Sequence, residues 1–188
     1  MKFPESALAH ALLDGKRGVE IGPSGHNPFG LDALMVGRDT AGTDYAKEEM
    51  KLCGEVQRLD HICEGDDLPF KDETFDFVIC SHVLEHFYDP IKTVQEWLRV
   101  IKPRGLVFVI FPHKDRTFDK DKPRTTLAEL LKRHAEPPEK QPVAADDHHT
   151  IWITQDALEL CENQKWFVIA WRDTDDKVGN GFTFVLQK

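Results

Sequence analysis

Apolar positions along the chain fall into two alternating periods. Gly18–Ile21 and Leu34–Val36 are short apolar runs, Val56–Ile62 is a weaker one, and Phe75–Cys80 and Leu106–Phe111 read as buried strands. Pro4–Leu13, stopped by Gly15, reads as a helix. Asp89-Pro90 opens another, with Asp as N-cap and Pro at the first helical position. Its residues Ile91, Val94, Leu98 and Ile101 keep helical spacing until Lys102–Gly105 ends it. Strands joined by helices at this spacing predict a parallel sheet covered on both faces. Pro112–Thr150 breaks the rhythm: it is charged and proline-dotted, with a capping box at Thr126–Glu129 that starts a short helix and a loop at Pro137–Pro142. Thr154–Asn163 reads as a helix, and Trp166–Trp171 and Gly181–Leu186 as two final strands, an antiparallel pair at the sheet edge.

Composition narrows the class. The 188 residues suit one domain, 1–188, with 112–150 as an inserted lid or substrate segment. A net charge of −9 argues against a nucleic-acid clamp, because that binding needs a basic surface. The longest apolar runs fall far short of the roughly 20 residues of a membrane span. Pro4, Glu5, Ser6 and His10 interrupt any signal-type core, so the expected location is cytoplasmic. Cys53, Cys63, Cys80 and Cys161 form no C-x-x-C pair and read as reduced thiols.

Candidate chemistry begins where the first strand ends, at Val19-Glu20-Ile21-Gly22-Pro23-Ser24-Gly25. A glycine-rich turn at the carboxyl end of a central strand is where open parallel sheets bind ligands. Asp39 follows at the end of the second strand, where a carboxylate can accept both hydroxyls of a ribose. The third glycine of a dinucleotide fingerprint is missing and Pro28 stands where its helix would run. With only Tyr45 and Tyr88, a nicotinamide oxidoreductase is disfavoured.

Further blocks follow in order: Glu64-Gly65-Asp66-Asp67-Leu68-Pro69-Phe70, then Phe75–Cys80 with Ser81-His82-Val83-Leu84-Glu85-His86, then Trp97–Val107 through Lys102-Pro103-Arg104-Gly105. Over residues 18–112 this resembles the class I S-adenosylmethionine-dependent methyltransferases of the type 11 group. The resemblance implies a doubly wound α/β fold, a mostly parallel seven-stranded Rossmann-like sheet with an antiparallel C-terminal edge strand. It implies S-adenosylmethionine as cofactor, held by Glu20, Gly22, Pro23 and Gly25 at its methionine end and by Asp39 at the ribose. Glu64, Asp66, Asp67 and Leu68 would meet the adenine, and Ser81 and His82 would border the sulfonium. The implied reaction is in-line methyl transfer, which needs alignment more than covalent help. His82, His86 and His113 are the candidate bases, should the acceptor need one. A non-catalytic member of the family, acting as a binding or interaction protein, is the alternative.

Two features bear on partners. Pro112–Lys140 carries eight Lys and Arg against six Asp and Glu, so a small-molecule acceptor, anionic if those cations are free to meet it, is the expected partner. Asp146-Asp147-His148-His149 has metal-binding residue types, but adjacent residues ligate one ion poorly, so no metal is expected. Neither nucleic acid nor membrane is an expected partner, and the sequence carries no signal for oligomeric state.

Overall fold

The computed structural model describes residues 2–38, 41–138 and 148–188. Strands β1 (Gly18–Ile21), β2 (Ala33–Gly37), β3 (His61–Ile62), β4 (Phe75–Ser81), β5 (Ile101–Pro112), β6 (Phe167–Arg172) and β7 (Gly181–Gln187) form one sheet in the order β3-β2-β1-β4-β5-β7-β6. β1 to β5 run parallel; β7 is antiparallel to both β5 and β6, so the final pair closes that side and β6 is its edge. Each face of β5 meets its own core: Val107, Val109 and Phe111 on one side, Leu106, Phe108 and Ile110 on the other. That is why this strand reads as a continuous apolar run rather than an alternating one.

The helices are α1 (Ala7–Leu13), α2 (Asp44–Cys53), α3 (Pro90–Val100), α4 (Leu127–Ala135) and α5 (Thr154–Asn163). α3 has the expected start, with the Asp89 side chain accepting from the Lys92 N–H at 3.0 Å and Pro90 in the first turn. Its apolar stripe, with Ile91, Val94 and Trp97, packs into the first core beside Leu130 of α4 and Ala157 and Leu160 of α5. The Thr126–Glu129 capping box also forms, with both of its bonds present.

Several boundaries differ from the sequence expectation. α1 begins at Ala7, not Pro4, because Ser6 is extended and accepts from the Ala9 N–H at 3.0 Å. The weak run at 56–62 keeps only His61–Ile62 as strand. Lys102–Gly105 does not separate helix from strand: α3 ends at Val100 and β5 starts at Ile101, with Arg104 in the left-handed region at φ 68°. Strand and helix do not alternate between β1 and β2, because residues 22–32 cross over without a helix. Phe29 and Leu31 from this loop, with Ala9 and Leu13 of α1, supply the second core instead.

The described part of the expected lid segment is docked. Leu130 is buried, the Thr125 N–H donates to Ile151 O at 2.9 Å, and His134 Nδ1 meets Asp89 Oδ2 at 2.8 Å. Among the described residues no helix is long and apolar enough to cross a membrane.

Candidate functional site

The strand order reverses between β1 and β4, on opposite sides of which the chain winds outward. In open α/β sheets such a switch point opens a crevice at the carboxyl ends of the strands. Register places Ile21 beside Cys80, so the Gly22 turn and Ser81 emerge together. A cavity of about 330 Å³ lies there. Glu20, Gly22 and Ser24 line it from the first turn, and Ser81 and His82 from the end of β4. His26 and Asn27 from the β1–β2 loop, Tyr45 from α2, Val178 and Asn180 from the loop before β7, and Phe3 from the N-terminal segment complete its wall.

The polar groups of this wall are partly held and partly open. Asn27 Nδ2 donates to Ser81 Oγ at 3.1 Å, while Asn27 Oδ1 is buried with no partner. Asn180 Oδ1 and His82 Nε2 are buried and without partners too. Burial pushes the Glu20 carboxyl up to about 7, with Lys177 pulling it the other way. Burial likewise lowers the His82 imidazole to about 4. His82 holds φ 55°, uncommon for a residue with a Cβ, while its N–H donates to Ile110 O at 2.9 Å. The loop bearing Val178 and Asn180 is organised by Asp175, whose carboxylate accepts the N–H groups of Lys177, Val178, Gly179 and Gly181.

Of the expected cofactor residues, Glu20, Gly22, Ser81 and His82 meet in this cavity. Pro23 is buried within the turn, and Gly25 is turned onto α2 rather than into the cavity. Its N–H donates to Glu49 Oε1 at 2.5 Å, and a Cβ at Gly25 would come within 3.4 Å of that oxygen.

The acidic loop stands apart from the cavity. Glu64 pairs with Arg38 at 2.6 Å and Asp66 with Lys92 at 2.8 Å, and Asp67 is exposed. Leu68 is a core residue, 4% exposed, rather than a side chain free to cover a ring. Asp39 lies outside the described residues.

The three candidate bases part company. His82 lines the cavity; His86 lies against His148, with ring centroids 5.0 Å apart. His113 follows β5 outside the cavity lining: it is 8% exposed, its Nδ1 accepts from the Asp115 N–H at 3.2 Å, and its ring meets Phe182 edge-on. Cations of the 112–140 segment are mostly engaged by protein groups. Arg116 pairs with Asp173, Lys122 with Asp119 at 2.9 Å and Arg124 with Asp156 at 3.4 Å, which leaves those side chains little reason to attract an anionic acceptor.

Asn27, Tyr45 and Asn180 were invisible in the sequence as site residues, because two separate loops and the first turn of α2 bring them to β1 and β4. Pro28 beside Asn27 hinted only that no helix runs there.

The order β3-β2-β1-β4-β5-β7-β6, with its crevice at β1/β4, is a Rossmann-like sheet, and the chain is similar in fold to a SAM-dependent methyltransferase from Thermotoga maritima, with a TM-score of 0.57 at 17% identity. The family described as "Methyltransferase domain" matches residues 19–109, a little under half of the chain. An uncharacterized protein of Methanocaldococcus jannaschii is 35% identical over 96 residues, 50% of this chain and 43% of that protein. The ubiquinone biosynthesis O-methyltransferase of Vibrio cholerae is 32% identical over 51% of this chain and 42% of its own length. The chain thus spans about half the length of the curated relatives it matches. In fold it is similar to the 1,6-didemethyltoxoflavin-N1-methyltransferase of Burkholderia thailandensis, solved with bound 1,6-didemethyltoxoflavin and S-adenosylhomocysteine. That likeness has a TM-score of 0.59 at 14% identity, covering 97% of this chain and 75% of that one.

Proposed function

We propose that the chain transfers the methyl group of S-adenosylmethionine to a small-molecule acceptor. One observation carries this reading: the β1/β4 cavity combines a buried carboxylate, Glu20, with three unpartnered buried polar atoms, Asn27 Oδ1, Asn180 Oδ1 and His82 Nε2. Buried polar groups without partners are costly, so such a wall fits a ligand that supplies donors and positive charge. The methionine end of the cofactor does both, through its ammonium and sulfonium. The small-molecule class is supported by the relatives named for ubiquinone and toxoflavin methylation.

Bound S-adenosylmethionine supplies a methyl already activated on sulfur: the S–CH3 bond breaks as the acceptor–CH3 bond forms, its electron pair returns to sulfur, and the acceptor's proton leaves to water. The protein's work is alignment. Glu20 receives the ammonium. Asn27, held through its Nδ2 by Ser81, would offer its unpartnered Oδ1 to the ligand. Ser81 and His82 border the reacting end, and Asp39 remains the ribose candidate. Among Glu64, Asp66 and Asp67, the last is the adenine candidate, because the first two are paired with Arg38 and Lys92.

A second reading, donor binding without transfer, draws on Glu49, which takes the Gly25 N–H that a ligand carboxylate would otherwise meet. Incubation with methyl-labelled donor and a panel of hydroxylated aromatic and amine acceptors separates the two. Labelled product is expected, formed about tenfold more slowly by Asn27→Ala at sub-saturating donor. Tight donor binding with no label in any acceptor would favour the second reading.

A further inference from the structure

Behind His82 lies a cluster that donor binding leaves unused. Glu85 sits in the 3-10 turn Leu84–His86, fully buried, and neither of its carboxylate oxygens has a hydrogen-bond partner. Three imidazole nitrogens surround its Oε1: His86 Nε2 at 3.8 Å, His148 Nε2 at 3.8 Å and His82 Nδ1 at 4.0 Å. The ligand atoms of Glu85, His86 and His148 all lie within 4.8 Å of one another.

His148 is held for this position from its far side. Its Nδ1 meets Asp119 Oδ2 at 2.5 Å, and Asp119 is itself 2% exposed and paired with Lys122. A carboxylate on one ring nitrogen, leaving the other to face inward, is how metal-ligating histidines are oriented. The backbone fastens the two pieces together, since the N–H groups of His149 and Thr150 both donate to Glu85 O, at 2.8 and 3.1 Å.

We propose that Glu85, His86 and His148 bind a divalent first-row transition-metal ion, with Zn2+ as the representative occupant. A buried carboxylate with no donor is expensive, and a cation between it and two imidazoles removes that cost. Bonds of about 2.0–2.1 Å in a tetrahedral site put ligand atoms roughly 3.3 Å apart, so the two Glu85–imidazole separations of 3.8 Å need to contract by about half an ångström and the imidazole pair, within 4.8 Å, by up to about 1.5 Å. Two imidazoles and one carboxylate suit zinc, iron or cobalt, whereas calcium and magnesium want oxygen ligands. Three protein ligands leave a further position open, as catalytic rather than structural sites do.

His82 touches Glu85 and also lines the donor cavity, so the ion would lie next to the reacting end. There it would hold an acceptor hydroxyl, ease loss of its proton to water and present the oxygen to the methyl group. That role rests on the proposed methyl transfer; the ion site itself does not. The sequence pointed away from it, because His148 was weighed against its immediate neighbours and not against Glu85, 63 positions earlier.

The test is titration of the chelator-stripped protein with ZnCl2 by calorimetry and with Co2+ by visible absorption. One equivalent with sub-micromolar affinity is expected, with a Co2+ spectrum of nitrogen–oxygen ligation. Glu85→Gln and His86→Ala should each weaken binding more than about 100-fold, and Asp119→Asn about 10–100-fold. His134→Ala, which alters the His–Asp pair between α4 and the start of α3, should change nothing. S-adenosylhomocysteine titrated into Glu85→Gln reports the donor site separately, and retained affinity shows an intact fold. Absence of stoichiometric uptake by the wild-type protein, or uptake that Glu85→Gln and His86→Ala leave unchanged, would overturn the proposal.

Discussion

Glu49 of α2 closes the glycine turn that follows β1: its Oε1 accepts from the Gly25 N–H at 2.5 Å and from Ser24 Oγ at 3.1 Å. Its Oε2 accepts from the Gln57 N–H at 3.1 Å, so one side chain, 2% exposed, ties the turn to α2 and to the chain beyond it. Hydrogen bonds to a buried charge contribute more than neutral ones, so Glu49→Ala should cost about 3 kcal/mol. Urea unfolding measures it. A midpoint equal to wild type would show that the turn holds its shape without this carboxylate.

Glu20 makes stability depend on pH in a stated direction. Burial raises its carboxyl from 4.5 to about 7 in the folded protein. Between those values the native state holds a proton that the unfolded state has released. Stability from this group therefore falls as pH rises from about 4.5 to about 7 and is level above, a loss on the order of 3 kcal/mol. Glu20→Gln should remove that slope and be the more stable protein at pH 8. Denaturant curves at pH 5 and pH 8 decide it: parallel losses in both proteins would assign the slope to other groups.

His82 carries backbone strain at the cavity edge, with φ 55°. Asparagine tolerates this region far better than a β-branched residue. His82→Asn should stay within about 0.5 kcal/mol of wild type, while His82→Val should lose about 1–2 kcal/mol. Equal thermal melts for the two variants would mean that the backbone relaxes there.

α3 holds the acidic loop as one piece. Arg99 donates to Leu68 O at 3.1 Å and to Phe70 O at 2.8 Å, Glu96 accepts the Leu68 N–H at 2.8 Å, and the Trp97 indole donates to Gly65 O at 2.7 Å. Arg99→Ala should speed proteolysis between Glu64 and Glu73 and weaken donor binding several-fold. Unchanged cleavage in that loop would show that Trp97 and Glu96 suffice.

The parts of this architecture that were legible in the sequence are those where local chemistry agrees with the fold. Phe75–Cys80 and Leu106–Phe111 are apolar on both faces because both faces are covered. Asp89-Pro90 and Thr126–Glu129 announce their helices through caps that need only neighbouring residues. Pro28 already argued against a helix in the β1–β2 crossover, but nothing local says that α1 and Phe29 cover that face instead. Leu68 looked available in its motif, but its backbone is bound by Glu96 and Arg99 and its side chain belongs to the core. Asn27 and Asn180, 153 positions apart, become neighbours of Glu20 only once the sheet is assembled.

Calorimetric titration of the folded protein with S-adenosylmethionine and S-adenosylhomocysteine, beside Asn27→Ala and Glu20→Gln, tests the central claim most directly. Saturable 1:1 binding in the micromolar range is expected. Asn27→Ala should lose about tenfold and Glu20→Gln more than tenfold, in keeping with loss of a neutral and a charge-assisted bond. A protein that is folded by circular dichroism but binds neither compound would contradict the account.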